Sequence, residues 1–124
     1  DIALMDARRG IEMFRRVEVP VLGVVENMSL HHCLNCGHAE HLFGEGGGER
    51  IASEYNTELL GALPLDRGIR EQTDLGKPSV VHDPDGAVAQ AYRDIARRTG
   101  AKLALFAEQQ LGSGLITKTQ GTSE

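Results

Sequence analysis

Cys33 and Cys36 are the only cysteines in the chain, and two residues separate them. At that spacing both thiols can face one metal ion or one edge of an iron–sulfur cluster. Two thiolates leave either group short of ligands, since structural zinc and most clusters take about four from protein. The remainder must come from nearby histidines, from a second copy of the chain, or stay open. Four histidines, His31, His32, His38 and His41, fall within eleven residues of one another. Cys33, Cys36, His38 and His41 form a two-cysteine, two-histidine set on paper. Zinc fingers, however, put about a dozen residues between their two pairs, and here a single residue separates Cys36 from His38. Closing a tetrahedron within so short a span is strained. A centre shared across a two-fold axis, with two cysteines from each chain, avoids the strain and is exposed and labile. A disulfide across so small a loop contributes little, so metal or redox chemistry is the natural reading. Gly37 favours ligation, because a glycine there lets backbone amides turn toward a sulfur.

Two further groups of residues invite chemistry. Gly44-Glu45-Gly46-Gly47-Gly48 looks at first like a phosphate cradle. No lysine stands where the Walker A pattern needs it, and Glu49 occupies the last glycine position of the dinucleotide pattern. The cluster therefore reads as a flexible lead into a helix. Asn27 and Ser29 follow the apolar run Val21-Leu22-Gly23-Val24-Val25. Open α/β sheets place ligands just beyond such a strand, where an asparagine amide can pair with a nucleobase edge. Turn formation is the competing role for Asn27.

The elements that would position these groups alternate. Ile2, Met5, Ile11, Phe14 and Val17 follow a helical period over residues 2–17. Pro20 stops that helix, and the run 21–25 is apolar on both faces, as a buried parallel strand requires. Residues 30–43 form the cysteine and histidine loop, with Met28, Leu30, Leu42 and Phe43 available to anchor it. A second helix is expected from about Glu49 to Tyr55, and a second strand over Leu59–Leu63, closed by Pro64. Asp66 can cap a helix reaching about Leu75. Asp83-Pro84 signals the start of another, which buries Val88, Ala91, Tyr92 and Ile95 and is open to interruption at Gly100. Residues 1–111 make one α/β unit, and residues 112–124 read as a disordered tail. Two parallel strands are not self-sufficient, so the chain reads as part of a larger sheet, of marginal stability or prone to aggregate when alone.

The 124 residues carry a formal net charge of −5, which argues against a nucleic-acid role. No apolar stretch approaches the roughly 20 residues of a membrane span, and no signal peptide is visible. A cytoplasmic location is expected.

Several segments then agree in order and spacing with one known family. They are Val24-Val25-Glu26-Asn27-Met28-Ser29, Cys33-Leu34-Asn35-Cys36-Gly37, Phe43-Gly44-Glu45-Gly46-Gly47-Gly48, and Leu60-Gly61-Ala62-Leu63-Pro64-Leu65-Asp66. Over about residues 1–100 the chain resembles the C-terminal portion of the Mrp/NBP35 (ApbC-like) proteins. These are iron–sulfur cluster carrier ATPases of the deviant Walker A, MinD-like superfamily of P-loop NTPases. The resemblance implies the C-terminal half of a parallel sheet flanked by helices. It implies a homodimer in which Cys33 and Cys36 of each copy hold a bridging 4Fe–4S cluster, delivered to apo iron–sulfur proteins and exchanged with assembly scaffolds. It also implies ATP, with Asn27 facing the adenine and the backbone around Pro64 and Leu65 lining its other side. Leu34 stands where proline is common in the family. The phosphate-binding lysine loop and the magnesium-binding aspartate are not among these residues, so this chain alone is expected not to hydrolyse ATP. Two other readings stand beside this one: a zinc-stabilised binding module on the two cysteines and two histidines, and a MinD-like regulatory ATPase without a cluster.

Overall fold

A parallel pair of strands backed by helices organises the chain, with a small hairpin projecting from one end of the pair. The computed structural model describes residues 2–33, 35–36 and 38–119. Helix α1 spans Ile2–Arg16, as its period predicts. Of the expected apolar positions only Ile11 is buried, while Ile2, Met5, Phe14 and, just past the helix end, Val17 stay exposed. Two strands are too narrow a floor to cover the whole stripe. Strand β1 (Val24–Glu26) pairs in parallel with β4 (Leu59–Ala62), matching Val24 with Leu59, Val25 with Gly61 and Glu26 with Ala62. The ladder starts at Val24, three residues later than the apolar run, because the first partner it meets is the Glu58 carbonyl, 2.9 Å from the Val24 nitrogen.

Between these strands lie β2 (His31–His32), β3 (Ala39–Glu40) and helix α2 (Gly47–Glu54). The segment expected to be an irregular cysteine loop is therefore an antiparallel hairpin, His31 opposite Glu40 and His32 opposite Ala39. Helix α2 starts two residues ahead of Glu49, so Gly47 and Gly48 form its packed first turn rather than a flexible lead, while Gly44 stays exposed ahead of it. Gly46 holds φ 67° at the cap, in the left-handed region. Gly47 and Gly48 are buried, and a Cβ on Gly48 would stand 2.9 Å from both the Glu26 carboxylate and Leu59.

Helix α3 (Arg67–Asp74) begins as predicted, with the Asp66 carboxylate accepting the Gly68 N–H at 2.6 Å. A short helix α4 (Ser79–His82) was not legible from the sequence. It changes the reading of Asp83-Pro84: Asp83 closes α4, and its carbonyl accepts the Gly86 N–H in a turn. Helix α5 therefore starts at Ala87 and runs to Thr119. Gly100 does not interrupt it, since the roughly 1 kcal/mol a glycine costs against alanine is set against a run of good helix formers, Ala101 to Ala104. The helix also takes in residues 112–119 of the segment expected to be a tail; residues 120–124 lie outside the described residues.

The core is small. Ile51 and Ala52 of α2, Leu60 and Leu63 in and just beyond β4, Ala89 of α5 and Ile11 are its buried apolar residues among those described. Gly61 admits α5 closely, since a Cβ there would lie 2.5 Å from Ile95.

Candidate functional site

The C-terminal ends of β1 and β4 stay connected after regular strand structure stops. The Leu63 N–H donates to the Glu26 carbonyl at 2.8 Å, the Ser29 N–H to the Leu63 carbonyl at 3.0 Å, and the Leu65 N–H to the Leu30 carbonyl at 2.9 Å. His31, at the base of the hairpin, bridges Leu65 in parallel. The hairpin thus grows directly out of the strand ends where an α/β sheet presents its ligand-binding edge.

Cys33 and Cys36 occupy the hairpin tip. The Cys33 N–H donates to the His38 carbonyl at 2.9 Å, which closes the tip just beyond the β2–β3 pair. Cys33 is half-buried, Cys36 is exposed, and both are free thiols. Hydrogen bonds from the backbone amides of Cys36 and then Asn35, with a smaller one from the Cys36 thiol, hold the Cys33 thiol below its ordinary pKa. Amide donors favour the thiolate, the form that ligates metal. The two thiols therefore suit a thiophilic metal centre, reachable from outside. Leu34 and Gly37, and with Gly37 the expected turning of amides toward sulfur, lie outside the described residues.

The histidines do something other than complete a zinc tetrahedron. His41 Nδ1 lies 2.7 Å from the Ser29 carbonyl oxygen, and His31 Nδ1 lies 3.2 Å from that of Leu65. A carbonyl only accepts, so each ring donates through Nδ1. Among the described residues, no group of three or more His, Cys, Asp or Glu is gathered closely enough to hold one metal ion. The two-cysteine, two-histidine set on paper is not assembled. Three of the four expected apolar anchors fail too: Met28, Leu42 and Phe43 are exposed, while Leu30 is half-buried. Hydrogen bonds fasten this hairpin instead.

Asn27 follows β1 directly and is exposed, with its Oδ1 accepting the Met28 N–H at 2.9 Å. Met28 takes φ 57°, so the Asn27 side chain braces a tight left-handed turn. Asn27 lines an open hollow of about 780 Å³ together with Met28, Leu42, Phe43, Gly47 and Gly48. Pro64 and Leu65 are half-buried on the neighbouring strand end, outside that hollow. The backbone ladder, rather than a shared cavity, is what brings Asn27 near Pro64 and Leu65.

Glu26 is the functional candidate that sequence reasoning missed. Its carboxylate accepts the Gly48 N–H at 3.2 Å at the start of α2, while its main chain accepts from Leu63. A helix N-terminus attracts anions, and here an internal carboxylate supplies one. The signal was present: an acidic residue at the end of an apolar strand, with a glycine cluster following in the chain.

A model of the NUBPL iron-transfer P-loop NTPase family matches residues 1–99. An iron-sulfur cluster carrier protein of Pseudomonas fragi is 58% identical over 103 residues, covering 83% of this chain and 36% of that protein. The iron-sulfur cluster carrier protein of Escherichia coli K12 is 53% identical over 103 residues, 28% of its length. The mouse iron-sulfur cluster transfer protein NUBPL is 47% identical over 103 residues, 32% of its length. Among solved structures, the nucleotide-binding protein of Archaeoglobus fulgidus, determined in complex with ADP and with cobalt, matches with a TM-score of 0.51 at 34% identity. That match covers 64% of this chain and 32% of the other. The chain spans about a third of the length of these relatives.

Proposed function

Because the chain belongs to the NUBPL iron-transfer P-loop NTPase family, we propose that it carries an iron–sulfur cluster on Cys33 and Cys36 and delivers it to apo-proteins. The observation that carries this reading is the hairpin tip, where two free thiols stand with no third ligand gathered beside them among the described residues. Two thiolates from each of two copies supply the four that a 4Fe–4S cluster takes, so the cluster is bridging cargo of a homodimer. The more exposed Cys36 is the ligand an incoming acceptor thiolate displaces first. Each exchange forms one iron–sulfur bond to the acceptor and breaks one to the carrier, whose thiolate then takes up a proton. Assembly scaffolds load the carrier by the same exchange in reverse. Free thiols suit a reducing compartment such as the cytoplasm.

ATP is the proposed switch for loading and release. Asn27 would face the adenine, and the backbone at Pro64 and Leu65 would line its other side. The phosphates and magnesium would be held by residues of the complete protein that this sequence does not contain.

Anaerobic reconstitution with iron and sulfide tests the reading, with visible absorption, metal content and oligomeric size measured together beside a Cys33→Ser control. A coloured dimer with iron and sulfide, lost in the control, supports it. A colourless monomer with one zinc ion overturns it.

A further inference from the structure

The cysteine hairpin is too short to orient itself. Each strand has two residues, and an isolated hairpin of that size is not stable in water. Its direction is set where it joins the body, and a histidine stands at each joint. His31, on the incoming strand, donates to the Leu65 carbonyl at 3.2 Å. His41, just past the outgoing strand, donates to the Ser29 carbonyl at 2.7 Å. Ser29 is in turn bound twice to the Leu63 carbonyl, through its N–H and its Oγ–H, both at 3.0 Å. Both strands of the hairpin are thereby tied to the single segment Leu63-Pro64-Leu65. Of the apolar residues at the joints, Met28, Leu42 and Phe43 are exposed and only Leu30 is half-buried. Beside the His31 tie, the Leu65 N–H also donates to the Leu30 carbonyl.

Resting on the nucleotide-switch reading above, we infer that His31 and His41 are positioning residues that transmit movement of the Leu63–Leu65 segment to the cysteine pair. Pro64 and Leu65 of that segment are the part proposed to line the nucleotide base, and Leu63 is joined to them directly in the chain. A shift there pulls on the Leu65 and Leu63 carbonyls and so re-aims both strands of the hairpin, changing how Cys33 and Cys36 face their cargo. Coupling of this kind needs an element whose arrangement both sites bias; the doubly fastened hairpin is that element.

Four variants of the complete protein test this. His31→Leu and His41→Leu remove the ring donor, whereas His31→Asn and His41→Asn keep a nitrogen donor near the place of Nδ1. Two responses to a non-hydrolysable ATP analogue are read: amide hydrogen exchange across residues 31–41 of the apo-protein, and the ratio of cluster-transfer rates with and without the analogue. We expect each leucine variant to shrink both responses about fivefold or more, a usual size for allosteric coupling, and each asparagine variant to restore them. Leucine variants that respond like the wild type overturn the inference. So do leucine variants that lower protection and transfer by the same factor with and without the analogue, leaving both responses intact, which marks a merely structural role. A wild-type hairpin indifferent to the nucleotide overturns the switch reading itself, and this inference with it.

Discussion

Helices α2 and α5 with strand β4 are held by burial, whereas the cysteine hairpin is held by hydrogen bonds. Ile51 and Ala89 retain 2% and 1% of their exposure. At the hairpin, Cys36, His38, Ala39 and Glu40 are all exposed, and specific donors and acceptors fix its place. The contrast separates two kinds of sensitivity. Truncating a buried side chain in the first region is expected to act on folding; removing a donor in the second is expected to act on where two sulfurs point.

Four measurements break or sharpen that division. The largest effect is expected from Cys33→Ser, which should abolish cluster binding while leaving the urea midpoint of the apo-protein nearly unchanged, within about 0.5 kcal/mol for a site outside the core. A large fall in stability would mean that the hairpin belongs to the fold after all. Ile51→Ala should show the reverse, costing roughly 2–5 kcal/mol in urea denaturation; a cost below 1 kcal/mol would show that α2 is not the core helix its burial indicates. Asp66→Ala should cost about 1 kcal/mol through the lost cap on α3, with no change in iron content on reconstitution. The smallest effect is kinetic. The Cys33 thiol is held below its ordinary pKa by the Cys36 and Asn35 amides, so its thiolate persists to lower pH than a free cysteine's, whose pKa is about 8.5. Peptide mapping after brief alkylation should find the rise in Cys33 labelling displaced toward acid from that of a free-cysteine peptide. Coincident profiles would remove the amide donors from the argument.

Legibility in the sequence follows the same division. Helix α1, strand β4 and the Asp66 cap were readable because burial and capping leave local periodic marks: Ile11 at its helical spacing, Leu60 in a short apolar run, and an aspartate two residues before a glycine whose amide it accepts. The cysteine pair was readable as chemistry from its spacing alone. The hairpin around it was not, because two-residue strands carry no alternation and their pairing is decided by contacts distant in sequence, His31 to Leu65 and His41 to Ser29. Asn35 and Gly37 between the short strands were the available turn signal. The role of Gly48 was hidden similarly, since what forbids a Cβ there is Glu26, 22 residues earlier, together with Leu59 of β4. Asp83-Pro84 misled because a helix-start signature was also the end of α4, a helix too short to announce itself.

The tie between His31 and Leu65 joins residues 34 apart in sequence, which gives assembly of the site a direction in time. The cysteines are synthesised before the carbonyl that orients their hairpin exists, and closing a loop of that length must precede the contact that rewards it. The cysteine tip is therefore among the last parts to become fixed. Pulse alkylation during refolding should find Cys33 reactivity settling together with β1–β4 pairing and not ahead of it. Iron that reaches a nascent chain meets two loose thiols, and only a chain that has already paired its strands offers them as a shaped pair.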